Sequence, residues 1–184
     1  ATATWSGSAA GTYGSFAIAA GGAWTYTLNN ADADTDALAE GASVTDTFIA
    51  TVTDDQGATA TQLVTITITG TNDSPVITTA VGGNAGTAVE AGNLDDGTVV
   101  AGDPDASGTL SSSDVDTGAT ATWSGSAAGT YGSFAITAGG AWTYALNNGD
   151  GDADALAEGD SVTDTFTATV TDDKGATATQ LVTV

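Results

Sequence analysis

The chain has 184 residues, 23 of them Asp or Glu against a single basic residue, Lys174, and it contains no His, Cys or Met, so its formal charge is −22. That balance excludes nucleic-acid and anionic-membrane binding, which need Lys and Arg, and the missing imidazoles and thiols remove N/S metal sites and most base and nucleophile chemistry. Oxygen-only coordination by Asp, Glu, Asn and backbone carbonyls stays open, and it suits calcium.

The chain opens on a copy of its own later part. Residues 1–66 overlie residues 119–184 without a gap, Trp5 matching Trp123 and Trp24 matching Trp142. Nine of the 66 pairs differ, at 19/137, 27/145, 31/149, 33/151, 35/153, 42/160, 49/167, 56/174 and 66/184. Near-identity over such a span points to recent tandem duplication, and a period of 118 residues fits a string of separate domains better than a solenoid. The phase predicts a window from a longer array. Residues 1–70 are expected to be the C-terminal part of one β-sandwich repeat, with its first strands absent. An acidic linker follows at 71–74, and 75–184 is a second, nearly complete repeat.

Taken in order, residues 75–79, 108–113 and 119–124 read as strands. Residues 132–137 and 141–146 form a hairpin around Ala138-Gly139-Gly140, where glycine supplies positive φ. Trp142, Tyr144 and Leu146 share one face of it. A single helical turn is expected at 154–158. Period-two alternation over 162–171 and 176–184 then makes a second hairpin around Asp172-Asp173-Lys174-Gly175. Six or seven short strands spaced by Gly/Asp turns make an all-β fold of tandem, Ig-like antiparallel Greek-key β-sandwiches, with a closed barrel as the alternative. At strand periodicity the aromatics Phe134, Trp142, Tyr144 and Phe166 read as inter-sheet core. Neither an apolar run of about 20 residues nor a basic region before an apolar stretch is present, so the chain reads as soluble and without a membrane span.

The acidic residues fall in loops. Alternating the strand directions from residue 75 brings the Asp114-Val115-Asp116 loop and the Asp172 hairpin to the end that carries Thr71-Asn72-Asp73-Ser74. Asp32, Asp34, Asp36 and Glu40, ahead of the last hairpin of the first repeat, face the same linker. Calcium takes six to eight oxygens, and Asp-x-Asp points two carboxylates the same way. The candidate ligands are therefore Glu40, Asn72, Asp73, Asp114, Asp116 and Asp172. Further candidates are Asp32, Asp34, Asp36, Asp54, Asp150, Asp152, Asp154 and Glu158. Asp150-Gly151-Asp152-Ala153-Asp154 is like the opening of an EF-hand loop, but Ser161 stands where its last glutamate would be. Asp46 and Asp164 are read as solvated or locally hydrogen-bonded.

Several of these segments resemble known families. Thr71-Asn72-Asp73-Ser74-Pro75-Val76 resembles the linker of cadherins, Asp114-Val115-Asp116 their Asp-x-Asp loop and Asp172-Asp173-Lys174-Gly175 their Asp-x-Gly loop. Leu38-Ala39-Glu40 is similar to their Leu-Asp-x-Glu motif, one acid short. Over the whole unit, Gly129-Thr130-Tyr131-Gly132-Ser133-Phe134, Trp142-Thr143-Tyr144, Ala155-Leu156-Ala157-Glu158-Gly159 and Val162-Thr163-Asp164-Thr165-Phe166 resemble the VCBS-type and cadherin-like repeats of large bacterial RTX adhesins. That resemblance implies secreted, extracellular repeats at the bacterial cell surface. They stiffen on calcium, extend an adhesive tip in cell adhesion and biofilm, contact neighbouring repeats and carry no catalysis. It also assigns Glu90 to a junction below the second repeat.

The reading is thus a calcium-stiffened structural extender that is not an enzyme, takes Ca2+, and has no nucleic-acid or membrane-inserted partner. Two alternatives stand beside it. A glycan-binding module would need exposed aromatics on one face. A self-assembling filament of like chains would restore the missing strands of the first repeat by strand exchange.

Overall fold

Alternation of Thr with apolar residues produces strands, and it dominates both halves of the chain. The computed structural model describes residues 2–184. It forms two units, one of Ala1–Asp73 with Val115–Gly118 and one of Ser74–Asp114 with Ala119–Val184.

The first unit contains β1 (Ala3–Ser6), β2 (Ser8–Ala10), β3 (Gly14–Ile18), β4 (Trp24–Leu28), the short α1 (Ala33–Asp36), β5 (Ser43–Asp54) and β6 (Thr59–Thr69). The strands make two antiparallel sheets, ordered β1-β5-β6 and β2-β3-β4. Inward residues alternate along β5, so that Asp46, Phe48 and Ala50 are buried while Thr45, Thr47 and Ile49 face outward. Phe16 of one sheet stacks on Phe48 of the other with ring centroids 5.0 Å apart. That contact, with Ala50, forms a small core.

The second unit adds β7 (Val76–Ile77), β8 (Gly92–Asn93), β9 (Val99–Val100), β10 (Asp105–Thr109), β11 (Ser112–Ser113), β12 (Ala121–Ser124), β13 (Ser126–Ala128), β14 (Gly132–Ile136), β15 (Ala141–Leu146), β16 (Thr165–Asp172) and β17 (Thr177–Thr183). One sheet runs β10-β15-β14-β13 and the other β12-β16-β17, with small pairs β11-β7 and β8-β9 beside them. The sandwich expected from the sequence is present. Phe134 and Phe166 stack across the two sheets at 5.1 Å. Trp142, Tyr144, Phe134 and Phe166 are all buried, together with Trp123, Leu110, Val170 and Val182. Burying each such side chain stabilises by roughly 2–3 kcal/mol.

Three local expectations change. The strand expected over 108–113 divides at Leu110, because β10 pairs with β15 while β11 pairs with β7. The last hairpin begins at Thr165 rather than 162. In the first unit the corresponding strand starts at Ser43, where Thr67, Ile68 and Thr69 pair with Thr45, Val44 and Ser43. The helical turn expected at 154–158 is absent, and a turn of helix forms instead in the first unit at Ala33–Asp36. Its counterpart carries Gly149 and Gly151 in place of Ala31 and Ala33. Of these, Gly151 stands in place of the first helical residue, Ala33, where glycine costs a helix about 1 kcal/mol relative to alanine.

Candidate functional site

The candidate ligands divide between the two units. In the first, the residues near the linker converge through backbone bonds: Thr117 N–H donates to Ala37 O at 3.0 Å, and Gly41 and Ala42 exchange bonds with Gly70. Asp73 N–H donates to Asp116 Oδ2 at 2.8 Å, across 43 residues of sequence. Asn72 Nδ2 donates to Asp73 O at 2.6 Å. Asp116 is 6% exposed, and a carboxylate buried so deeply needs donors or a cation around it. Glu40 stands exposed in the turn before β5.

In the second unit Asp172 is buried at the start of the β16–β17 turn, where its Oδ1 accepts from Lys174 N–H and Ala176 N–H, both at 2.8 Å. Asp54 makes the same turn in the first unit, accepting from Gln56 N–H and Ala58 N–H. Asp114 and Glu90 are half-buried. Lys174 bonds its neighbour Asp173 at 2.8 Å.

The remaining candidates serve local structure. Asp32 caps α1 by accepting Asp34 N–H at 3.0 Å, and Asp150 accepts Asp152 N–H at the same distance. Such bonds satisfy donors that a first helical turn or Asx-turn leaves open. Asp34, Asp36, Asp152 and Asp154 are exposed. Glu158 Oε2 accepts Asp95 N–H at 2.9 Å and ties down the β8–β9 loop. The donors suit a hard divalent ion in kind, being oxygen throughout. Among the described residues, however, no three carboxylates converge into a formed metal cage.

Asp46 and Asp164 turn out to be internal anchors and are not solvated. Asp164 accepts from Thr130 N–H (2.8 Å), Tyr131 N–H (3.0 Å), Gly132 N–H (3.2 Å) and the Tyr144 hydroxyl (2.9 Å). Asp46 repeats this with Thr12 N–H, Tyr13 N–H and the Tyr26 hydroxyl at 2.7 Å. Burial and the bond to Asp46 push the Tyr26 phenol up to about 12, and burial with the bond to Asp164 raises Tyr144 as well. Burial acts most strongly on Asp46 and pushes it up, yet the Tyr26 hydroxyl and the N–H groups of Thr12, Tyr13 and Gly14 together hold it below the usual carboxylate value. This explains the Gly-Thr-Tyr-Gly motif. A Cβ on Gly129 would collide with the Asp164 carboxylate, so the loop can wrap that group only with glycine there. An acid in an inward position of β5 and just ahead of β16 was the available signal.

A cavity of about 550 Å³ in the second unit is lined by Glu90, Tyr131, Asp154, Glu158, Asp164 and Val184 among others.

A family model described as bacterial cadherin-like domain matches residues 1–70 and again 72–184. Among solved structures, the Drosophila N-cadherin EC1-4 fragment aligns over 99% of this chain and 41% of its own length, with 14% identity and a TM-score of 0.56. Extracellular cadherin domains 1-5 of protocadherin gamma B2 align over 99% of this chain and 32% of theirs, also at 14% identity, with a TM-score of 0.51. The chain thus spans less than half the length of either, and the likeness establishes the fold. No curated protein sequence matches the chain.

Proposed function

The chain belongs to the bacterial cadherin-like domain family, and from that premise we propose that it is a pair of extracellular extender repeats of a surface adhesin, stiffened at the linker by calcium. The cadherin-like fold is a non-enzymatic, structural and adhesive one. One observation carries the calcium reading. The linker residue Asp73 is bonded to the buried carboxylate of Asp116, so one acid of the Asp-x-Asp segment and one of the acidic linker lie together within the first unit.

Asn72, Asp73 and Asp116, with Glu40 beside them, are the proposed ligands from the first unit. Asp114 and Asp172 are those of the second. A hard dication bound there supplies charge neutralisation and a coordination cross-link. Asp114 and Asp116 stand two residues apart, a spacing that lets both carboxylates reach one ion. Without the ion, like charges about 5 Å apart repel by roughly 1 kcal/mol per pair even in water. Secretion to the bacterial surface and a part in biofilm follow from the RTX resemblance and belong to this proposal. No helix of the described residues is long and apolar enough to cross a membrane.

Small-angle scattering and thermal melting of the 184-residue chain, in calcium and in chelator, test the reading. The expected result is a longer, narrower distance distribution with calcium, together with stabilisation of about 2.7 kcal/mol at a hundredfold excess over Kd. Asp116→Asn should weaken both. Identical distributions and melting temperatures in the two buffers would remove the calcium mechanism.

A further inference from the structure

Lys174 is the one basic residue in a chain with 23 acidic ones. It stands at the tip of the β16–β17 turn, where its backbone N–H donates to Asp172 Oδ1 and its ammonium to Asp173 Oδ2, both at 2.8 Å. Asp173 Oδ1 accepts Thr120 N–H at 3.3 Å, and Ala121 lies opposite Asp172 in the β12–β16 pairing. The turn is thus fastened to the start of β12, and the ammonium is held in the same turn as the buried Asp172 carboxylate.

The turn does not require a lysine. The first unit builds the same turn with Gln56 in that position: Gln56 N–H and Ala58 N–H donate to Asp54 Oδ1 at 2.9 and 2.8 Å. Lys174 N–H and Ala176 N–H donate to Asp172 Oδ1 in the same way, both at 2.8 Å. Among the positions at which the two copies differ, only 42/160 and 56/174 change the charge, and only the second places a cation. Nor does the ion pair account for the lysine. Lys174 and Asp173 are 39% and 37% exposed, and a pair so hydrated contributes little to stability.

What remains is the field of the charge. The ammonium is tied to the carboxylate that lies between Asp172 and Lys174 in sequence, so a dication on Asp172 would sit on the order of 10 Å from a fixed positive charge. Repulsion at that range weakens the binding of a dication about fourfold at low salt. Added salt removes the effect, because the Debye length falls from about 30 Å at 0.01 M to about 3 Å at 1 M.

On the calcium reading given above, and resting on it, we propose that Lys174 is a built-in competitor that raises the calcium concentration at which Asp172 is occupied. The residue at this position of the turn, Lys174 here and Gln56 in the first unit, then sets the calcium threshold of a repeat without altering its fold.

Calorimetric calcium titration of the 184-residue chain compares the wild type with Lys174→Gln in 10 mM and in 1 M KCl. The variant keeps the turn, since the first unit forms it with glutamine. The expected result is binding about fourfold tighter in 10 mM KCl, with the difference gone in 1 M KCl. Gln56→Lys separates position from net charge. Gln56 precedes β6 and the linker follows it, so the 11 residues of Thr59–Thr69 put on the order of 35 Å between them. Added to Lys174→Gln, this change restores the formal charge of −22 without restoring the local cation, and the gain should persist. In an Asp172→Asn background, where an amide oxygen still serves the turn, Lys174→Gln should change nothing. Equal affinity of wild type and Lys174→Gln would overturn the proposal while leaving calcium binding in place. So would a gain that survives 1 M KCl, that disappears in the charge-restored variant, or that persists with Asp172→Asn. No calcium binding by the wild type would remove the calcium reading itself, and the proposal with it.

Discussion

Replacing Asp164 by alanine tests the claim that a buried carboxylate holds each repeat together. Asp164 is 6% exposed and accepts four hydrogen bonds, from Thr130, Tyr131 and Gly132 N–H and from the Tyr144 hydroxyl. Alanine leaves all four donors without their acceptor. A buried donor so stranded costs about 1–3 kcal/mol, and because a water can enter the vacated space the lower end applies, giving about 4 kcal/mol in total. For a domain of this size, about 4–8 °C per kcal/mol puts the expected fall in Tm at roughly 15–30 °C. Tyr144→Phe removes one bond of the four and should cost about 1 kcal/mol. Differential scanning calorimetry of the 184-residue chain reads both, with the first unit as internal reference because its own Asp46 is untouched. A loss below about 1 kcal/mol for Asp164→Ala would refute the anchor role and reduce the Gly-Thr-Tyr-Gly motif to an ordinary turn.

Three more outcomes follow from the same geometry. Asp46 is held below its ordinary value, so its contribution to stability is fully present above the unfolded carboxylate pKa of about 4 and is lost as pH falls through the depressed folded value; acid titration of the wild type against Asp46→Asn should show the wild type losing its advantage in that window, and parallel curves would count against it. Gly132→Ala should cost about 2–3 kcal/mol, since the new Cβ would collide with Ala145 O and with the end of the Tyr144 side chain, and urea melts that overlay the wild type would disprove the clash. Trp24→Phe should shift the mean tryptophan emission to the blue and Trp142→Phe to the red, because the first removes an exposed ring and the second a buried one; equal shifts would contradict the uncovered β4.

Local pattern was enough for the strands of this protein. Residues 162–171 and 176–184 alternate at period two, and a side chain on a strand must then point alternately in and out, so the hairpin and its buried Phe166 and Val182 are legible in the order of residues alone. The tandem copy is legible too, and with it the family's linker and Asp-x-Asp segments. What the one-dimensional pattern leaves undetermined is pairing. Residues 108–113 read as one strand, but Leu110 is where the chain leaves β15 for β7, a choice made by which sheets lie within reach. Asp46 and Asp164 carry the same letter as a dozen solvated loop acids, and only closure of the Gly-Thr-Tyr-Gly loop over them supplies donors enough to hold a buried charge. The same limit separates Trp24 from Trp142. Their flanking sequences, Gly-Gly-Ala-Trp-Thr-Tyr, are identical, and their exposures differ because burial depends on long-range pairing: β10 lies against β15, whereas among the described residues β4 pairs with β3 alone.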